Sequence, residues 1–319
     1  MESRDGGIAA VSPMLTTLVS AAAALVAGMC LAATGLLQQG AASEESSDKQ
    51  FSLTMILDLV RNPEWLAGIG AAVGSYAFQA VALATGPLSL VQPLVVSELL
   101  FAVPISARRH RTRLGAREWA GLLTVTAGLV VGIVAADPHR GHPIQPFSAW
   151  IWPLVAVVAI AAAGVLVGKA ISGPARASLF ALSGATVMAF QSALFAATIA
   201  ALRADVGHTF VTWQPYALIV ASFTGLFLVQ NAYQAGPLAA SMPVMDAVLP
   251  MVSIGLGIGL FGEHVRTTVF GLTGAAAGIA LLVLGIIMLD TSPVISRQQR
   301  AERKQRDDAA SSAAVRTLS

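Results

Sequence analysis

The chain has 319 residues, 55% of them hydrophobic and only 11% charged, with a formal net charge of +2. A soluble protein carries about 25% charged residues, so the polar shell is missing, which argues against a soluble enzyme, a nucleic-acid binder or a secreted scaffold. The single cysteine, Cys30, leaves no internal disulfide and no CxxC motif.

A helix needs about 20 apolar residues to cross a bilayer. Apolar runs fall at 10–37, 64–85, 87–107, 117–136, 150–169, 177–201, 215–235, 237–261 and 268–290. They predict an all-α polytopic membrane protein with nine transmembrane helices. The first run follows Glu2, Arg4 and Asp5, which is not a basic n-region, and is about twice the usual signal length. It reads as a retained span. A polar stretch at 43–49 precedes 51–61, where Leu53, Ile56, Leu57 and Val60 share one helical face. That pattern predicts an interfacial helix within a cytoplasmic segment, 43–62. Thr85-Gly86-Pro87 joins runs two and three, and Gly236-Pro237 joins runs seven and eight. Both read as tight turns between spans. Beyond Asp290 the tail, 291–319, holds nine charged residues and is expected to be disordered.

Basic residues set the orientation. With nine spans, one side holds four of them (Arg4, Arg140, Arg203 and Arg266) and the other holds fifteen. The expectation is a plasma-membrane protein with its N-terminus outside and its C-terminus in the cytoplasm.

Shifted by 150 residues, the sequence matches itself. Gly86-Pro87-Leu88 falls on Gly236-Pro237-Leu238, Pro93 on Pro243, Gly121-Leu122 on Gly271-Leu272, and Ala127-Gly128 on Ala277-Gly278. The matched spans are five helices apart, so the two copies would cross the membrane in opposite directions. Inverted repeats recur in secondary transporters. The halves are 8–137, with four helices, and 150–290, with five.

Gly262-Glu263-His264-Val265-Arg266, then Val269-Phe270-Gly271 and the run to Gly285, resembles the end of the EamA-type repeat of the drug/metabolite transporter (DMT) superfamily. The Gly-Pro turns and Val91-Gln92-Pro93-Leu94 look most like its actinobacterial and NIPA-like branch. The resemblance implies an inverted-repeat DMT-type transporter bundle with a central cavity, here four plus five helices because the first family helix is missing. It departs from the pattern at Thr112-Arg113, where the first half lacks the Gly-Glu. At Leu249-Pro250 it lacks a carboxylate often found before a helix proline.

Ionisable residues deep in a span are functional candidates, because burying one costs at least a few kcal/mol. Asp246 and Glu98 qualify, as the tenth and twelfth residues of their runs. Through the repeat, Asp246 corresponds to position 96, and Glu98 lies two residues on, about 200° around a helix. One should then face the cavity and the other turn away, with Asp246 the stronger candidate. An unpaired carboxylate there takes up a proton or a cation. A second tier of substrate-binding candidates is uncharged: Gln92, Gln230, Asn231, Gln234, Tyr76, Gln79, Gln38 and Gln191. Their amides and hydroxyl can hydrogen-bond a solute or another helix. Glycine pairs at i, i+4 (70/74, 128/132, 255/259 and 274/278) predict close helix packing, and Gly255, Gly257 and Gly259 a hinge. Asp137, His139 and His142 have metal-ligand character but no dedicated spacing, and read as a solvated loop.

No P-loop or Rossmann pattern is present. The expected function is secondary active transport of a small molecule or cation by alternating access, without catalysis, cofactor, resident metal or nucleic acid. The expected partners are membrane lipids and the solute, with room for a homodimer. A NIPA-like Mg²⁺ permease is the runner-up, and a non-transporting scaffold in envelope or lipid assembly the third reading.

Overall fold

The computed structural model describes residues 13–44, 63–109, 113–236 and 238–291. The expected interfacial helix at 51–61 and the tail beyond 291 lie outside them. The chain forms α1 (Pro13–Glu44), α2 (Pro63–Thr85), α3 (Leu88–Val95), α4 (Glu98–Arg109), α5 (Ala116–Ala136) and α6 (Phe147–Ala170). There follow α7 (Pro174–Ala204), a single turn α8 (Val206–Thr209), α9 (Gln214–Ala235), α10 (Leu238–Gly259) and α11 (Val269–Asp290). Counting α3 and α4 as one interrupted span, nine segments among the described residues are long and apolar enough to cross a membrane. The architecture fits a multi-pass membrane protein. Both Gly-Pro turns sit between helices as the sequence predicts: α2 ends at Thr85 and α3 begins at Leu88, while α9 ends at Ala235 and α10 begins at Leu238.

Polar contacts between helix ends sort into two sets, as alternating crossings require. At one end of the bundle, here the Gly86 end, Arg140 and Arg203 donate to the Leu83 and Ala84 carbonyls, and Leu88 donates to Glu263. At the other, the Gly236 end, Arg109 reaches both the Leu36 carbonyl and Glu64, Arg117 reaches Thr291, and Ser178 reaches the Ala240 carbonyl.

Helix α7 is the centre of the bundle, buried along most of its length, with α6, α9, α10 and α2 against it. Helix α1 packs on α2 and on both pieces of the interrupted span. Two serine hydroxyls tie α1 to α2, Ser20 to the Ala82 carbonyl and Ser75 to the Ala27 carbonyl, both at 2.9 Å. Such bonds spare polar groups from apolar surroundings.

The pairing of α5 with α11 depends on glycine. An ideal Cβ on Gly128 would lie 2.5 Å from the Leu282 amide nitrogen and 2.8 Å from the Gly278 carbonyl oxygen. One on Gly285 would lie 2.6 Å from the Val125 nitrogen, and one on Gly278 would collide with the Gly132 backbone. Backbone therefore meets backbone, as small residues at four-residue spacing allow. Of the four pairs read in the sequence, 128/132 and 274/278 face each other here. Gly70, Gly255 and Gly259 have nothing within 4 Å of such a Cβ, so they do not serve close packing.

Gly86 has no room either, because a Cβ there would overlap the Ser20 side chain. Gly86→Ala is therefore expected to lower the melting temperature of the detergent-solubilised protein. Adding Ser20→Gly should recover most of that loss, and equal melting of all three proteins would count against the contact.

Candidate functional site: a carboxylate cluster at a broken helix

The interrupted span breaks at Val96-Ser97. Bonds of the i to i−3 kind tighten the break: the amides of Ser97, Leu99 and Leu100 donate to Leu94, Val96 and Ser97 at 3.0, 3.2 and 2.9 Å. Two features favour the interruption. Pro93 and Pro104 lie inside α3 and α4 and supply no amide to the ladder. Gly28 of α1 presses on the opened peptide groups, since a Cβ there would lie 2.9 Å from the Val95 oxygen and 3.1 Å from the Glu98 nitrogen. The fully buried Ser97 hydroxyl beside it has no hydrogen-bond partner among the described residues.

Glu98 thereby occupies the first turn of a new helix, where the positive end of the helix dipole favours a carboxylate. Its charge interacts with Asp246 of α10 and Asp290 of α11. Asp246 and Asp290 also act on each other, and all three charges act on the hydroxyl of Tyr233 on α9. Asp290, the last residue of α11, is 2% exposed, and its Oδ2 has no partner among the described residues. Pro250 lies one turn after Asp246 within α10. Having no N–H, it leaves the Asp246 carbonyl without its helical donor. Among the described residues, the charges that act on Glu98 and Tyr233 are acidic. No group of three His, Cys, Asp or Glu side chains among the described residues is arranged to hold a metal ion.

Glu98, which the repeat places on the far side of the helix from the counterpart of Asp246, nonetheless feels the Asp246 charge. The 200° estimate assumed a continuous helix, and the break resets the phase between positions 96 and 98. Asp290 and Tyr233 were missed. Asp290 closes its apolar run and so looked like the border of the tail, while Tyr233 carries no formal charge.

The uncharged candidates do not gather there. Gln92 on α3 and Gln191 on α7 are buried, and Gln92 Nε2 has no partner among the described residues. Gln79 is half-buried, and Tyr76, 51% exposed, places its ring against Phe195 at 6.0 Å between centroids. Asn231 donates to the Phe227 carbonyl of its own helix at 2.7 Å. Gln230 and Gln234 lie on the exposed stripe of α9 with Phe223 and Phe227, away from the face packed on α7. The Gln38 side chain lies outside the described residues. No hydrogen bond among the described residues joins any of these amides to Glu98, Asp246 or Asp290.

At the Gly86 end the structure forms a clasp. Glu263, only 6% exposed, accepts from the backbone amides of Leu88 and Ser89 at 2.5 and 2.9 Å. It thereby satisfies orphan donors at the start of α3 from 175 residues away. Arg140 and Arg203 hold the carbonyls that end α2. Opposite charges therefore bracket the Gly86-Pro87 turn according to each helix end's dipole. Burial pushes the Glu263 carboxyl above the ordinary glutamate range, although Ser89, Leu88 and the Arg140 charge act against it. The loop carrying Glu263 is pinned to the α5–α6 loop, with His139 and His264 exchanging backbone bonds of 2.8 and 3.2 Å and Arg266 paired to Asp137 at 2.7 Å. Trp150 packs edge-on against Phe190, Trp213 and Phe261, at 5.7, 5.2 and 5.9 Å.

A protein of Corynebacterium glutamicum, "Uncharacterized protein Cgl0250/cg0304", is 30% identical over 274 residues, 85% of this chain and 93% of that protein. The chain belongs to that protein's family. The shared length exceeds either half of the bundle, so the family's unit is the whole set of helices and not one repeat. No family model matches the chain, and no solved structure does.

Proposed function

We propose that the chain is a secondary active transporter of the EamA-like, DMT type, built from two inverted halves and moving a small cationic or proton-coupled solute. The observation that carries this reading is that Glu98, at a helix break inside the bundle, feels the charges of Asp246 and Asp290. Discontinuous helices at the middle of the membrane are where transporters build their sites. Carboxylates that repel one another in a medium of low dielectric accept protons or a cation between them.

The packing supports the inverted repeat. In chain order, spans one, two and three correspond to six, seven and eight, the third and eighth being those matched by the 150-residue shift. Just as α1 packs on α2 and on the interrupted span, α7 packs on α9 and on α10. The pairs that should lie on the pseudo-twofold axis, α5 with α11 and α3 with α10, are in contact. Gly128 meets Gly278 and Leu282, and its counterpart Gly278 meets Gly128 and Gly132. Reciprocity of that kind is the mark of a twofold interface.

From the count of basic residues we read the Gly86 end as outside and the Gly236 end as facing the cytoplasm of a plasma-membrane protein. The carboxylate cluster then belongs to the middle and the cytoplasmic half of the membrane. Proteoliposome flux of Mg²⁺, amino acids and organic cations, each with and without a pH gradient, tests the reading. Flux of an organic cation or amino acid that follows the pH gradient supports it. Mg²⁺ flux alone identifies the permease, whose ion keeps most of its water, and no flux of any solute moves the chain to the scaffold class.

A further inference from the structure

The eight residues of α3 are held differently from every other helix. Their C-terminal end meets the Val96-Ser97 break, and their N-terminal amides are held by the Glu263 side chain. A cavity of about 300 Å³ adjoins them, lined among others by Ser89 and Pro93 of α3, Ile254 and Ile258 of α10, and Ala275 of α11. The cavity is almost wholly apolar. At the Gly236 end the position corresponding to Glu263 is Arg113, whose charge has the wrong sign to cap a helix N-terminus.

We propose that α3 is the outer gate of the protein: a short lever hinged at Val96-Ser97, latched by Glu263, with the adjoining cavity as the space into which it swings. Opening breaks two charge-assisted bonds to Leu88 and Ser89 and draws Val91, fully buried in the core beside Trp150 and Phe261, out of its seat. The gate rests on the orientation and transport reading above, but its movement can be measured without any solute.

The test places a reporter cysteine at Val91→Cys in a Cys30→Ser background and adds a membrane-impermeant thiol reagent outside intact cells. Glu263→Gln should speed labelling by about tenfold, the effect of weakening a charge-assisted bond. Ala275→Leu, which fills the cavity and leaves the latch untouched, should slow it below the parent. Because the two variants act in opposite directions, a fold damaged by either cannot imitate the pattern. Equal rates in all three proteins, or faster labelling in both variants, overturn the gate. The expected order of rates in a protein that carries no solute flux leaves the gate standing and removes the transport reading instead.

Discussion

Gly128→Leu is expected to leave little folded protein to purify. The new side chain would start where the Leu282 amide and the Gly278 carbonyl already stand at 2.5 and 2.8 Å from an ideal Cβ. Overpacking an ordinary core costs about 1–3 kcal/mol, because neighbouring side chains can turn aside. Here the obstacles are backbone atoms of a second helix, so α5 and α11 must separate and the cost exceeds that range. Size-exclusion profiles and melting curves in detergent give the measure. Gly70→Leu is the control, since nothing lies within 4 Å of its Cβ position. Equal behaviour of the two variants would show that the α5–α11 contact does not hold the bundle together.

The second large effect concerns the carboxylates, where stability and activity should move in opposite directions. Asp246→Asn removes one of three charges that repel one another within the bundle. Relief of about 1 kcal/mol of repulsion corresponds to a rise of about 2 °C in melting temperature. Solute flux driven by a pH gradient should meanwhile fall to background. Glu98→Gln and Asp290→Asn should act in the same sense, with Asp290→Asn milder because its residue ends α11. Sites that give up stability for function behave in this way. A variant that loses melting temperature and flux together would mark that carboxylate as a structural residue.

The spans were legible because bilayer thickness imposes a length and a hydropathy on each. Gly86-Pro87 and Gly236-Pro237 were legible for a different reason, since proline cannot continue the helix and the flanking runs are each long enough to cross. Glu98 and Asp246 stood out as charges within apolar runs. Their meeting did not, because proline occurs inside α3, α4, α6 and α10 and only the interrupted span loses its continuity. The backbone of Gly28, some 70 positions earlier, presses on that break, and no local pattern reports a contact so distant. The Gly262-Glu263 pair carried the family resemblance, yet its partners at Leu88 and Ser89 belong to the other half of the chain. The amides of α9 were misleading in their own way. That helix is apolar around its whole circumference, so spacing alone could not separate the face that meets α7 from the stripe bearing Gln230 and Gln234.

The two Gly-Pro turns also bear on how the chain is made. Each joins two crossings with no connecting loop, so neither partner can enter the bilayer and wait for the other. The second and third crossings are expected to go in as one hairpin, and so are the seventh and eighth. A hairpin inserted the wrong way round would be wrong in both its legs at once. Decisions about direction during synthesis therefore fall to the longer polar connections, and a foreign segment spliced in at Gly86 or Gly236 would split a unit that the membrane receives whole.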